Sequence, residues 1–233
     1  MKAKVTRDSH AATAAFIDFK VRYDIILTTV QQQVDCGGVG RVDDKRWAIL
    51  TACQRLLEDS GSITIDKVAS AAGVAKGTVY LYFDSKQELI QQTFLLSIEE
   101  ISTIMEQAAA AISGTNFERL SAMINAHYEA VHGKMMLLQR LFGEEPEFSR
   151  RPLRGQALEL LRAVKKIESQ YMDVLSAGIT GGEFRPHNVQ LTAAAIMAMI
   201  NNLSAGEIFW PQENHQDILP ELLQFILQGI AAE

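Results

Sequence analysis

From Asp43 to the end of this 233-residue chain, apolar side chains recur at the spacing of one helix face, and the interruptions fall at glycine and proline. That period belongs to the α-helix; a half-buried strand would alternate at every second residue. The expectation is an all-α fold, with helices at roughly 44–60, 64–72, 75–82, 85–112, 116–133, 134–143, 152–180, 187–209 and 215–231. The punctuation sets the breaks. Gly61 and Gly73 follow the first two helices, and Gly114, Gly143, Pro146 and Pro152 bound the middle ones. Gly181-Gly182 and Pro186 end the long seventh helix, and Pro211 ends the eighth.

Residues 1–42 escape this reading. Phe16, Phe19, Tyr23, Ile26 and Val30 fall at helical spacing, yet Phe19, Val21, Tyr23, Ile25 and Leu27 alternate as in a strand. The stretch from Asp35 to Arg41 holds three glycines and reads as a flexible linker. Two expectations stand for this N-terminal extension: an extra helix packed on the body, or an artefact of start-site assignment, with translation beginning near Val39 or Val42. After Met1 the next methionine is Met105, so the second expectation requires a non-Met start codon.

Charge and cysteine usage narrow the function classes. The net charge of −6 argues mildly against nucleic-acid binding, but the acid is unevenly spread. Residues 1–42 carry +2, residues 43–93 carry −1 and residues 94–233 carry −7, so any DNA contact must rest on locally placed cations. Cys36 and Cys53 lack CxxC spacing, which predicts neither a disulfide framework nor a zinc site and fits a reducing cytoplasm. Lys2, Lys4 and Arg7 make a basic start, but Asp18, Lys20, Arg22 and Asp24 interrupt the apolar stretch behind it, so no signal peptide is expected. The longest apolar run, Leu191 to Ile200, is too short to span a bilayer. A cytoplasmic location is expected.

Residues 64–86 read TIDKVASAAGVAKGTVYLYFDSK. Two short helices flank a glycine, which is the layout of a helix-turn-helix. Ala69 is small enough to let the helices approach, Gly73 supplies a left-handed turn, and Val79 plugs the space between them. Val68, Ala72 and Val74 add apolar lining. Thr64 can cap the second helix, although Lys67 stands where a Glu would complete a capping box, and Asp66 compensates in part through the helix dipole. Ser85 and Glu88 do form a capping box at the start of the fourth helix, worth on the order of 1 kcal/mol.

This segment closely resembles the DNA-binding signature of the TetR family of transcriptional regulators: a Thr-started helix, an AAGV turn, a KGTxYxYF recognition helix and an SK pair. The resemblance covers about residues 44–94. Beyond it, only length, helicity and the GEFRPH turn before a penultimate helix are similar. The resemblance implies a three-helix DNA-binding domain over 43–92, followed by a larger ligand-binding and dimerisation domain over 93–233. It implies that Thr64 touches a phosphate, that Lys76, Gly77 and Thr78 approach the groove, and that Tyr80 and Tyr82 offer hydroxyls to backbone or base edges. Lys86 would clamp a phosphate. Against the family pattern, Leu81 stands where a polar residue is common; leucine can meet a thymine methyl but donates no hydrogen bond. Specificity would then lean on DNA shape and on the symmetry of two half-sites. Phe83 reads as core, and the lysines taken singly read as solvated surface; their company around one short helix is what singles them out.

The rest of the chain is less marked. Met105, Phe117, Met123, Tyr128, Met135, Met136, Phe142, Tyr171, Met172 and Met197 form a Met-rich apolar stock. Of these Met105, Tyr128, Met136, Phe142, Tyr171 and Met197 are the candidate lining of a pocket for a lipophilic effector, with ordinary core as the alternative. His127 and His132 are five apart and do not share a helix face, so no metal site is expected, nor any cofactor. No Ser-His-Asp set, phosphate loop or carboxylate pair stands out, so the chain is not expected to be an enzyme. Leu191, Ala194, Ala195, Ala198, Met199 and Asn202 line one stripe of the eighth helix, and Ile218, Leu222, Phe225, Ile226 and Gly229 one of the ninth. These stripes either build a four-helix homodimer interface or pack within one subunit. The expected function is a homodimeric repressor that releases a pseudo-palindromic double-stranded DNA operator when a small molecule binds its C-terminal domain. A TetR-like protein acting through protein contacts or nucleoid organisation is the alternative.

Overall fold

The computed structural model describes residues 41–58, 63–144, 157–204 and 218–232. The expectations for residues 1–40 lie outside the described residues, as do the predicted helix ends at 59–60, 152–156, 205–209 and 215–217. Among the described residues there are eight helices: α1 (Arg41–Glu58), α2 (Ile65–Ala71), α3 (Lys76–Tyr82), α4 (Lys86–Ala110), α5 (Asn116–Glu144), α6 (Ala157–Thr180), α7 (Val189–Ser204) and α8 (Ile218–Ile230). No strand occurs among them; a single antiparallel bridge pairs Phe184 with Ala231.

One expectation is corrected. The helices predicted at 116–133 and 134–143 are one continuous helix, α5. A glycine inside a helix costs only about 1 kcal/mol relative to alanine, which is not enough to break it. Ala130 and Val131 are buried just before Gly133. Lys134 just after it is held by an ion pair to Glu100 at 2.6 Å. Both sides are therefore anchored in the helical register.

The described residues fall into two compact units, and α4, α5 and α6 each contribute a stretch to both. The first unit takes residues 41–102 together with the described residues of Ala130–Ile167. Its core draws Ile49, Leu50, Cys53 and Leu57 from α1, Val68 and Ala69 from α2, Val79 from α3, then Phe83, Leu89 and Ile90. Full burial of a side chain of this size contributes about 1.5–3 kcal/mol. Polar ties reinforce it. The Arg46 guanidinium donates to Gln92 Oε1 at 2.9 Å and lies 5.6 Å from the centre of the Phe83 ring. Gln54 Nε2 (2.9 Å) and Lys134 Nζ (2.6 Å) both donate to Oε2 of Glu100, so one α4 carboxylate holds α1 and α5.

The second unit takes Thr103–Glu129 and the residues from Glu168 onward. Met105, Leu120, Met123, Ile124, Tyr171, Leu175 and Phe184 are buried in it. The α6 C-terminus closes on Gly182, at φ +74°, with Glu183 N donating to Gly178 O at 2.9 Å and Gly182 N to Ile179 O at 3.1 Å. This turn throws the Phe184 ring back over Gly178, where any Cβ would run into it. The ring meets Phe117 edge-on at 4.8 Å. The Glu183 carboxylate accepts from the Asn116 and Phe117 amides at 2.8 and 3.3 Å and from Asn116 Nδ2 at 2.6 Å, capping α5 from across the chain. Arg185 N to Ile230 O (2.9 Å) and Ala232 N to Glu183 O (3.0 Å) tie the end of α8 to the same turn.

Candidate nucleic-acid interface

Each feature of the helix-turn-helix has a local cause. Thr64 is extended (φ −124°, ψ 150°) and its Oγ1 accepts from the Lys67 amide at 3.3 Å, so it caps α2. Gly73 has φ +67°, and the turn around it carries two bonds: Val74 N to Ala69 O at 2.9 Å and Gly73 N to Ser70 O at 3.2 Å. Together these are a Schellman closure, which satisfies carbonyls that the end of a helix leaves unpaired. The chain then restarts at Ala75, which is extended, and enters α3. At the far end the Ser85 Oγ accepts from Glu88 N at 3.1 Å. Glu88 reaches one residue further back than its own cap, accepting from Asp84 N at 2.6 Å.

The result is a short helix with two faces. Val79 is buried, Phe83 behind the helix is buried, and Tyr82 packs partly against the same core. On the other side Lys76 and Gly77 are exposed, with open space where a Cβ on Gly77 would sit. Tyr80 is 49% exposed and Leu81 83% exposed. Thr78 and Lys86 are half-buried. Thr64, Lys76, Gly77, Thr78 and Tyr80 thus lie on or near the surface; Tyr82 is shared with the core. Lys76 Nζ is paired with Asp66 Oδ2 at 2.9 Å, and this bond raises the Lys76 pKa above its ordinary value. Sequence reasoning used Asp66 only as a dipole partner of α2. A helix-turn-helix brings the first turns of its two helices together, and that spacing was the signal for the pair. Cys53 sits in the core, where burial pushes its thiol up to about 11, against a hydrogen bond from Thr93 and the nearby charge of Lys86. It serves as packing.

In the second unit Met105 and Tyr171 are fully buried, Tyr128 nearly so, and Met197 half-buried. The side chains of Met136 and Phe142 lie outside the described residues. Tyr171 Oη and His127 Nδ1 are 3.0 Å apart and share a hydrogen bond inside the core. Burial lowers the His127 pKa to about 4 and raises that of Tyr171, so both are neutral near pH 7. Sequence reasoning weighed His127 only as a metal ligand and missed this polar pair; the signal was weak, because the partner is 44 residues away. Of the candidate interface residues, Leu191, Ala195, Ala198, Asn202 and Phe225 are exposed, while Ile218 and Leu222 are half-buried. Ile226 is buried in its own subunit and leaves the α8 stripe. Among the described residues no helix is long and apolar enough to cross a membrane.

Two family models match the chain and together cover more than half of it. Residues 49–93 match the bacterial regulatory proteins of the tetR family, and residues 113–205 match the tetracyclin repressor-like C-terminal domain. A fatty acid metabolism regulator protein of Bacillus subtilis is 26% identical over 142 residues, covering 59% of this chain and 68% of that protein. The transcriptional repressor KstR2 of Mycobacterium tuberculosis is 22% identical over 206 residues, covering 83% of this chain and 96% of that one. Among solved structures, the regulator FadR of Bacillus subtilis in complex with stearoyl-CoA superposes with a TM-score of 0.59 at 23% identity, covering 78% of this chain and 95% of that one. With an exposed short helix behind a glycine turn inside the first match and a second match beyond it, this chain belongs to the TetR family of bacterial transcriptional regulators.

Proposed function

We propose that this regulator acts as a homodimeric repressor which releases a pseudo-palindromic operator when a lipophilic small molecule binds its C-terminal unit. The observation that carries the DNA contact is the outer face of α3, where Lys76, Gly77, Tyr80 and Leu81 stand exposed beside a core-facing Val79. Lys76, Thr64 and Lys86 fix register on phosphates, while Gly77 lets the backbone come close and Thr78, Tyr80 and Tyr82 reach the groove. Regulation rather than catalysis is the output, in the cytoplasm, and no cofactor is needed.

The lipophilic ligand class is supported by the Met105, Tyr128, Tyr171 and Met197 set and by the relatives, one a fatty acid metabolism regulator and one structure holding stearoyl-CoA. The neutral Tyr171–His127 pair is a polar anchor in those apolar surroundings, suited to one oxygen of a long hydrocarbon ligand. The exposed Leu191, Ala195, Ala198 and Phe225 support the α7–α8 dimer face, whose small residues permit close helix approach. Dimerisation would present two reading helices about 34–36 Å apart, one turn of DNA. Effector binding shifts the population away from that spacing, so effector and operator weaken each other by the same factor at equilibrium.

A mobility shift on the DNA upstream of its own gene tests the reading. The wild type shifts it in a salt-sensitive manner and the Lys76→Ala/Tyr80→Ala double variant does not. A wild type that fails to shift DNA even at low salt would sink the operator reading in favour of a protein-contact role. Native mass spectrometry of the purified protein then identifies the co-purifying ligand.

A further inference from the structure

Lys76 is the only charged residue of α3, and in the free protein it is already engaged. Its Nζ lies 2.9 Å from Asp66 Oδ2, with 54% of the lysine side chain and 67% of the aspartate side chain exposed. Asp66 stands in the first turn of α2 and Lys76 in the first turn of α3. The Gly73 closure sets the turn between the two helices, and their first turns lie within reach of one ion pair. A carboxylate oxygen and a phosphate oxygen are equivalent acceptors for an ammonium group, at the same distance and with the same charge assistance.

We infer that Asp66 restrains the affinity of the DNA contact: its carboxylate occupies Lys76 as a stand-in for a DNA phosphate, and any duplex must displace it. This deepens the operator-binding reading above and rests on it. An exposed ion pair adds little to fold stability, so folding gives no strong reason for the pair. Its effect on binding is larger. With Asp66 in place, the two charges cancel and α3 presents its cation only after the pair opens. The remaining carboxylate also repels the approaching backbone. Every duplex offers the same phosphate to Lys76, so the cost of displacing Asp66 is common to matched and mixed sequences. A matched operator also offers contacts to Thr78, Tyr80 and Leu81, so it still binds at concentrations where a mixed sequence does not. The raised Lys76 pKa agrees with the strength of the contact.

The test uses full-length protein and two duplexes, one from upstream of its own gene and one of mixed sequence, with fluorescence anisotropy across a salt series. Asp66→Asn tightens binding to both duplexes by a similar factor, between roughly threefold and tenfold, and leaves the ratio between them unchanged. It also steepens the slope of log K against log salt by about 0.9 for each head engaged. Asp66→Ser, a second neutral replacement, behaves alike. In a Lys76→Gln background Asp66→Asn changes either affinity by less than about twofold, because the two residues act as one unit. Unchanged or weaker binding by Asp66→Asn overturns the inference, as does equal tightening with Lys76→Gln, which would make Asp66 a general charge. The wild-type arm separates the two failures: absence of salt-sensitive binding to both duplexes defeats the DNA reading itself, whatever Asp66 does.

Discussion

The helix-turn-helix motif and the C-terminal unit are both helical, but the bonds that shape residues 64–88 are short-range, whereas those that distinguish the C-terminal unit are not. In the head the caps and turns join residues three to five apart: Thr64 with Lys67, Val74 with Ala69, Ser85 with Glu88. In the C-terminal unit the defining bonds join distant residues, as His127 to Tyr171 and Asn116 to Glu183 do. A local device can be written into a short sequence and removed at modest cost. A long-range contact exists only once the chain has folded, and its loss leaves a cavity or an orphaned polar group. The contrast teaches where local and tertiary specification are separated: the helix-turn-helix rides on a locally specified frame, while the C-terminal unit depends on tertiary fit.

Substitutions can break that contrast, beginning with the largest effect. Phe184→Ala removes a buried ring stacked edge-on against Phe117 and should lower unfolding stability by about 3–5 kcal/mol, read from the urea midpoint. Acid should act nearly as strongly on the same unit. The folded His127 has its pKa lowered to about 4, below the ordinary 6.5, so the unfolded chain takes up the proton first as pH falls. Its contribution is complete above about pH 6.5 and is lost progressively down to about pH 4, a total near 3 kcal/mol. Urea titrations at several pH values check this, and His127→Asn should flatten that segment of the profile.

The head should respond less. Gly73→Ala forces a side chain into the left-handed region at φ +67° and should cost about 1–2 kcal/mol. Ser85→Ala removes the α4 cap and should cost about 1 kcal/mol by the same measurement. A Gly73→Ala loss equal to that of Phe184→Ala would erase the distinction between the units. The smallest effect is Leu81→Ala. At 83% exposure it should leave stability within about 0.5 kcal/mol while altering DNA affinity, and replacing operator thymines by uracil should then weaken the wild type more than the variant.

Legibility followed the same division. The left-handed Gly73, the small buried Ala69, the buried Val79 and the two caps could be read from residue type and spacing, because each answers to a backbone rule acting over one turn. The continuity of α5 through Gly133 could not, since the anchors on either side of the glycine are tertiary. Ile226 was assigned to an outer stripe on periodicity, yet it faces inward, because a helix that is apolar over much of its surface does not declare which side meets the core. His127 and Tyr171 carried no local signal of partnership, and neither did Glu100, which receives both Gln54 and Lys134.

By itself the sequence determined that this protein is helical, that residues 64–86 form a helix-turn-helix, and which side chains line its second helix. Those properties follow from period, caps and glycine conformation, which act within a few residues. Only the tertiary structure decided that Lys76 is held by Asp66, that Glu183 caps a helix far from it in the chain, and that a neutral histidine and tyrosine meet inside the C-terminal unit. These rest on distances between separate helices, and such distances arise when the apolar faces pack.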